Sequence, residues 1–470
     1  MQSRGSTEIF WSSDTGDDEI EDLPLAVAID LAHALVAGVA ESAGIRALFI
    51  KGPVANHHGI RRHRVSSDVD VLVLPGDVEA LRDALLERGW AVRPESFAHR
   101  EFVTHSLTLL HPAWPCDIDI HRSFPGFLES DEVAFDALWR SRTEIEIASR
   151  KIAGTDLPAS IVIAALHALR AMFLARHSDE FDEALAVVRS HIDSDGLLAE
   201  ILLLADATGA TTTLGPFLRE LGVDTPQRSI HHRKYLEWQR NTRQLNRAAE
   251  WITAALSVPL AARPRFILRA IFPGVNDLLI DHPATPRTLK GVTRTWLSRL
   301  LHAIRALPTA IGDVRAERIA LRGSHRRVGP AGDATRPTPS EAQASAVPVA
   351  TAAISKGSKA REELLWSFTG GAAERDARVL LMRRAADVAE VERDDGTFLL
   401  PIEPVRPSVP LLVTGSGRSV WMLLREARSR DDIVALTAAG YGVTTLQVEA
   451  DVSEFLARLI DARVVEVAVQ

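Results

Sequence analysis

Two short runs could do chemistry together: Ser67-Asp68-Val69-Asp70-Val71-Leu72-Val73 and Cys116-Asp117-Ile118-Asp119-Ile120-His121. In an extended strand alternate residues share a face, so Asp68 and Asp70 project together while Val69, Val71 and Val73 turn the other way. Asp117, Asp119 and His121 repeat the arrangement at i, i+2 and i+4. Carboxylates held this close repel one another unless positive charge lies between them. Hard divalent cations such as Mg²⁺ or Mn²⁺ take oxygen ligands of this kind, commonly together with substrate phosphates. Adjacent strands carrying the two rows would form a three-carboxylate site, with Asp117 and Asp119 competing for the third place. Such a site could activate a hydroxyl and stabilise a leaving pyrophosphate.

The elements that must position these rows follow from the hydrophobic pattern. A helix is expected from Pro24 to Gly44, then strands at Ala47–Ile50, Asp68–Leu74, Leu107–Leu110 and Cys116–His121. Asp77 is placed to N-cap a helix over Val78–Arg88, with Gly89 as its stop. This pattern indicates an α/β or α+β domain over residues 23–154, of which we take α+β. Apolar residues then recur at helical spacing through residues 155–328, the expected helical domain. Residues 329–377 are rich in Pro, Ala, Ser, Thr and Gly and read as a flexible linker. A further unit is expected over 378–470, with strands first and helices after. Residues 1–22 are polar and acidic and are expected to be disordered.

The first of these units resembles the nucleotidyltransferase family of the DNA-polymerase-β superfamily whose members often go uncharacterised. The shared elements are Lys51-Gly52 after the first strand, Arg64 before Asp68-Val69-Asp70, Asp119 with His121, and the helix LPASIVIAALHALRAMF around His167. The resemblance implies that Asp68, Asp70 and Asp119 bind metal and that Asp119 serves as base for an incoming hydroxyl. It also implies that Lys51 or Arg64 neutralises a nucleoside triphosphate, most simply ATP, with the Gly52 backbone close to phosphate. Pro53 departs from the wider superfamily, where a Gly-Ser pair usually brings a hydroxyl to phosphate.

Residues 378–467 resemble the PqqD family of small domains that bind the leader segments of ribosomally made, modified peptides. The match runs through Leu411-Leu412-Val413, Gly415-Ser416-Gly417, Val420–Leu424, Asp431–Val434, Tyr441 and Val448–Leu459. By that resemblance a leader would add as a strand at Leu411, Leu412 and Val413 and lie against Asp451, Phe455 and Leu459. Many of these apolar residues must also build the core, and Phe455 and Trp421 are expected there rather than at the contact.

Composition limits the alternatives. A net charge of -8 argues against a general nucleic-acid coat. The helix from Glu449 to Arg463 carries Glu449, Asp451, Glu454 and Asp461, which speaks against DNA. Ten basic residues between Arg287 and Arg327 face only Asp313 and Glu317, which leaves an acidic peptide or RNA open as a partner. The single cysteine, Cys116, excludes an internal disulfide and a multi-cysteine zinc site. With an acidic start and the apolar run near Ile161–Ala175 broken by His167 and Arg170, a cytoplasmic protein without a membrane span is expected. The leading expectation is an enzyme that transfers a nucleoside monophosphate in modified-peptide biosynthesis. The alternatives are an inactive leader-binding scaffold, or a nucleotidyltransferase acting on tRNA or a protein as in toxin–antitoxin systems.

Overall fold

The structure, a computed structural model, describes residues 23–62, 64–102, 105–191, 196–225, 233–242, 247–325, 380–402 and 409–469. The expected acidic start and the expected linker lie outside the described residues. The described chain is mixed α+β and forms two compact units, one of residues 23–325 with 389–412, the other of 380–388 with 413–469.

The first unit is built on a seven-stranded sheet of order β3-β4-β5-β2-β1-β7-β6. Its strands are β1 (Leu48–Phe49), β2 (Asp68–Leu72), β3 (Ala91–Val92), β4 (Ser106–Leu110), β5 (Asp117–His121), β6 (Thr143–Ile147) and β7 (Arg150–Gly154). Strict alternation divides the sheet chemically. Phe49, Val69, Val71, Ile118 and Ile120 enter one core with helices α1 (Leu25–Ser42) and α3 (Val78–Leu86). Leu48, Ile50 and Leu72 enter a second core on the opposite face. That face is covered by α6 (Leu157–Leu169), whose N-terminus Asp156 caps by accepting from the Ala159 N–H at 2.9 Å.

Helix α1 alone among the described helices is long and apolar enough to cross a membrane, but it is mostly buried as the central helix of the first core. Asp77 does not cap α3. The chain enters that helix through a 3-10 turn at Pro75–Asp77, which puts Asp77 in helical geometry with no side-chain cap bond. Gly89 ends the segment at φ 93°, as expected.

Short helices α2 (Gly52–His57), α4 (Phe97–Phe102) and α5 (Asp131–Arg140) fill the connections of the sheet. Beyond α6 the chain is helical, through α7 (Ala175–Ser190), α8 (Leu197–Ala207), α9 (Gly215–Glu220) and α10 (Arg233–Thr242). It continues through α11 (Arg247–Ser257), α12 (Arg263–Ile271), α13 (Val275–Asp281) and α14 (Leu289–His325).

The hairpin β6–β7, absent from the sequence reading, turns at Ala148 and Ser149 with φ 51° and 58°. Both turn residues therefore adopt left-handed backbone without the Asn-Gly signal that usually marks such turns. The Ala148 carbonyl accepts from the Glu390 N–H at 3.0 Å. Strands β9 (Val388–Glu392) and β10 (Thr397–Pro401) belong to a second sheet of order β11-β10-β9, where β11 is Leu411–Val413. Ala389, Phe398, Leu400 and Ile402 are built into the α1 core. A stretch expected to open the C-terminal domain thus supplies core to the first unit.

The other unit carries a sheet of order β12-β8-β13, formed by β8 (Leu380–Arg384), β12 (Arg428–Ser429) and β13 (Val465–Val469). Its helices are α15 (Gly415–Leu423), α16 (Arg430–Tyr441) and α17 (Thr445–Asp461). Helix α17 opens with a capping box between Thr444 and Gln447. Trp421, Ile433, Val452, Leu456 and Leu459 form the interior.

The seating of Ile402 on α1 is testable. A Cβ added at Gly38 would overlap the Cγ2 methyl of Ile402, and a β-branched side chain cannot swing clear. Gly38→Val should destabilise the first unit by about 1–3 kcal/mol, the usual range for overpacking. Ile402→Ala in the same chain should return part of that loss, read as a non-additive double-mutant cycle in urea. Strict additivity would show that the hairpin does not pack there.

Candidate active site

Strands β2 and β5 pair in parallel with Asp68 opposite Asp117, Asp70 opposite Asp119 and Leu72 opposite His121. Both polar rows therefore lie side by side on one face. Asp70, Asp119 and His121 each offer a ligand atom within 4.8 Å of the others. Asp68 shares the face but lies outside that group of three. Asp117 also lies outside it and is ion-paired with Arg93.

Asp70 is the centre of the arrangement. It is 5% exposed, and its Oδ1 accepts from Lys51 Nζ at 2.7 Å and from His121 Nε2 at 2.7 Å. Burial alone would push its carboxyl up, but Lys51 and His121 together outweigh burial and hold it below the usual carboxylate range. Asp68 is shifted the other way, first by burial and then by the neighbouring Asp70 and Asp119 carboxylates. On the other side of β5, Thr108 of β4 stands opposite Asp119 in the antiparallel register. Its Oγ1 donates to Asp119 Oδ1 at 2.5 Å, which fixes the carboxylate's orientation.

Lys51 reaches Asp70 because of an unusual backbone. Its φ and ψ are 58° and −148°, in a region that costs a non-glycine residue about 1–3 kcal/mol. The ammonium group is held both by Asp70 and by the face of Phe124, 5.7 Å from the ring centroid. Gly52 follows at φ 42°, and a Cβ there would sit 3.2 Å from Ser66 Oγ. Pro53 occupies the first turn of α2, where its missing N–H leaves no helical bond unmade.

Neutral imidazoles surround this centre. His105 stacks on His121 with ring centroids 5.9 Å apart. Burial, aided by Arg170 and His121, lowers its pKa to about 3. His167 on α6 is lowered to about 2 by burial and then by Lys51. His33 on α1 is fully buried, packs against Phe49 and is lowered to about 4 by burial. Each remains uncharged at neutral pH.

Arg64 has an acidic partner of its own. It pairs with Glu180 of α7, a buried residue that also meets Arg176 at 3.4 Å and His167 at 3.7 Å. The residue expected beside a triphosphate thus forms an ion pair between the loop before β2 and α7. The pairing of Thr108 with Asp119 and the partner of Arg64 were both missed in the sequence. Thr108 carried one available signal, its position in a strand able to flank the second acidic row. Glu180 carried none, since 116 residues separate it from Arg64.

In the proposed peptide region, β11 is an edge strand of its sheet, and Leu412 is 42% exposed. Val413 turns inward at 4% exposure, and Leu459 is likewise buried at 3%. Asp451 and Phe455 on α17 are partly exposed. Phe455 and Val413 both flank Gly417, where an added Cβ would meet them at 3.0 and 3.4 Å. Trp421 is wholly buried and belongs to the core.

Residues 30–211 match the family described as uncharacterised nucleotidyltransferase. Residues 411–465 match the family of coenzyme PQQ synthesis protein D, PqqD. No curated protein matches the chain. Among solved structures, the antibiotic-resistance factor ANT(2'')-Ia is 13% identical, with 42% of this chain and 100% of that one covered at a TM-score of 0.28. The lincosamide antibiotic adenylyltransferase LnuA is 17% identical, with coverage of 28% and 82% and a TM-score of 0.22. An antigenic nucleotidyltransferase-like protein from Paracoccidioides brasiliensis is 13% identical, with coverage of 42% and 95% and a TM-score of 0.28. The chain carries a nucleotidyltransferase domain and, near its C-terminus, a PqqD domain.

The Arg64–Glu180 pair separates a structural role from a phosphate-binding one. Arg64→Ala should lower stability by about 2–3 kcal/mol, somewhat under the cost of breaking a fully buried pair because Arg64 is a third exposed. Adding Glu180→Gln should recover part of it in chemical denaturation. Unchanged stability in Arg64→Ala would return Arg64 to the list of substrate contacts.

Proposed function

We propose that the nucleotidyltransferase domain transfers a nucleoside monophosphate from a nucleoside triphosphate, most simply ATP, to a hydroxyl or carboxylate of a peptide whose leader binds the PqqD domain. The observation that carries this reading is the in-register pairing of two acidic strands around Lys51, in a chain that also has a PqqD domain.

The residues fit a divalent cation. Asp68, Asp70 and Asp119 bring three carboxylates to one face, the only ammonium directly on them among the described residues is Lys51, and the nearby His105 and His167 are neutral. The mutual repulsion that raises Asp68 is what a dication would relieve. Asp70 and Asp119, with Asp68 beside them, would hold Mg²⁺ or Mn²⁺, whose charge would offset that developing on the departing pyrophosphate.

The chain's own groups supply the remaining steps. Where the acceptor is a hydroxyl, Asp119, held in place by Thr108, takes its proton, and a carboxylate acceptor arrives already ionised. The acceptor oxygen forms a bond to the α-phosphorus as the bond to the β-phosphate bridging oxygen breaks, and pyrophosphate leaves. Lys51 supplies positive charge on the side of Asp70, and His121 keeps Asp70 ionised and oriented. The Gly52 backbone, with no Cβ, allows close approach of phosphate. In the PqqD stretch, an extended leader would add to β11 through backbone hydrogen bonds, with the exposed Leu412 reading its side chains.

The experiment uses the full chain, each radiolabelled triphosphate in turn, Mg²⁺ or Mn²⁺, and a candidate precursor peptide. Label should appear on the peptide with wild type, vanish with chelator, and fall at least about 1,000-fold in Asp68→Ala/Asp70→Ala. Asp119→Asn should be as damaging, whereas Asp117→Asn should keep most of the activity because its partner is Arg93. No label with any triphosphate, with leader binding intact, would replace this reading with a leader-binding scaffold.

A further inference from the structure

The basic segment that begins at Arg287 has no part in the carboxylate site. It opens α14, and α14 forms one wall of an open groove of about 1680 Å³ between α11, α12 and the loop before α14. The floor is apolar and aromatic, with Trp251, Ile252, Phe266, Ile267, Ile304 and Leu307. Trp251 and Phe266 are packed in a ring cluster with Phe97 and Phe102, so the floor is firm. Yet Ile267 is 44% exposed and Ile304 57%, which leaves the apolar surface uncovered among the described residues.

The mouth is positive. Lys290 and Arg294 stand one turn apart on α14, and neither has a carboxylate partner among the described residues. Asp281, the one acid in the lining, is engaged by Arg299 at 3.3 Å.

We propose that this groove takes the apolar face of an acidic amphipathic helix from a separate polypeptide. Size, wall type and charge select that occupant. The volume exceeds the roughly 300–1,000 Å³ of small-molecule pockets. The walls are helices and the loop before α14, with no strand edge for an extended peptide among them, and a helix laid in a groove is the mode that remains. Lys290 and Arg294, without a carboxylate partner among the described residues, would meet acids on the helix flank. A nucleic-acid backbone would satisfy the rim but leave the apolar floor uncovered, and a bilayer surface would not enter a concavity.

The probe is a fluorescein-labelled 18-residue peptide with Leu at i, i+3, i+4 and i+7 and Glu elsewhere, titrated into the full chain by fluorescence anisotropy. It should bind at least tenfold more tightly than its Lys counterpart or a scrambled Leu/Glu peptide, and the affinity should fall with salt. Lys290→Glu/Arg294→Glu should weaken it at least tenfold, and so should Ile304→Asp, whose exposure lets the fold tolerate the change. Asp70→Asn should leave binding unchanged, which separates this groove from the carboxylate site. Equal binding of the scrambled peptide, or unchanged affinity in both groove variants, would overturn the proposal. So would loss of sedimentation with anionic phosphatidylserine vesicles in Lys290→Glu/Arg294→Glu if peptide binding is intact, since that assigns the basic rim to lipid.

Discussion

The parallel pairing of β2 with β5 is the constraint on which the site depends. One register sets Asp70 beside Asp119 and Leu72 beside His121. A slip of one residue would carry the carboxylates into the core that holds Val69, Val71, Ile118 and Ile120. The apolar residues between the acids therefore specify the chemistry as strictly as the acids do. They also explain the cost the site carries. Asp70 is drawn into a nearly closed position, and without Lys51 and His121 its ionised form would be strongly disfavoured. The left-handed backbone at Lys51 is best understood against that demand. Strain of a few kcal/mol at one residue is offset by a charge-assisted bond to a buried carboxylate.

Much of this was legible in the sequence because it follows from period-two alternation. The runs Asp-Val-Asp-Val and Asp-Ile-Asp-Ile-His announce two strands, a polar face and an apolar face without reference to anything distant. Their adjacency was a matter of topology, which the connecting helix α3 makes natural for parallel strands. The β6–β7 hairpin was less visible although Thr143–Ile147 also alternates, because its Ala-Ser turn lacks the residues that usually mark a left-handed pair. The terminal strand β13 alternates too, but its pairing partner β8 lies some eighty residues away. Long-range ion pairs were beyond reach for the same reason. Arg64 reads as a free cation near the acids until α7 brings Glu180 to it.

Electrostatic economy separates the cations near the site into kinds. Lys51 is spent on Asp70 and Arg64 on Glu180, each with a fixed acid. Arg170, at the end of α6, is different. It lies one turn beyond His167, its charge helps keep His105 and His167 neutral, and burial lowers its own pKa. A partly buried guanidinium among neutral imidazoles raises the local potential without cancelling it. The carboxylate row and this guanidinium thus give the site two signs of charge.

The placement of β9 and β10 bears on how a peptide-binding edge could be made stable. A three-residue strand such as β11 contributes few backbone bonds, and a small three-stranded sheet is marginal when it lacks a covered face. Here Phe398, Leu400 and Ile402 bury one face of β10 against α1. The strand that β11 pairs with is therefore anchored in a large apolar core. That leaves the outer edge of β11 free to be short and partly exposed at Leu412 without the sheet losing its order. An edge held in this way would suit the added strand proposed above. The ordering cost that a mobile hairpin would impose on such binding would then already be met in folding the first unit.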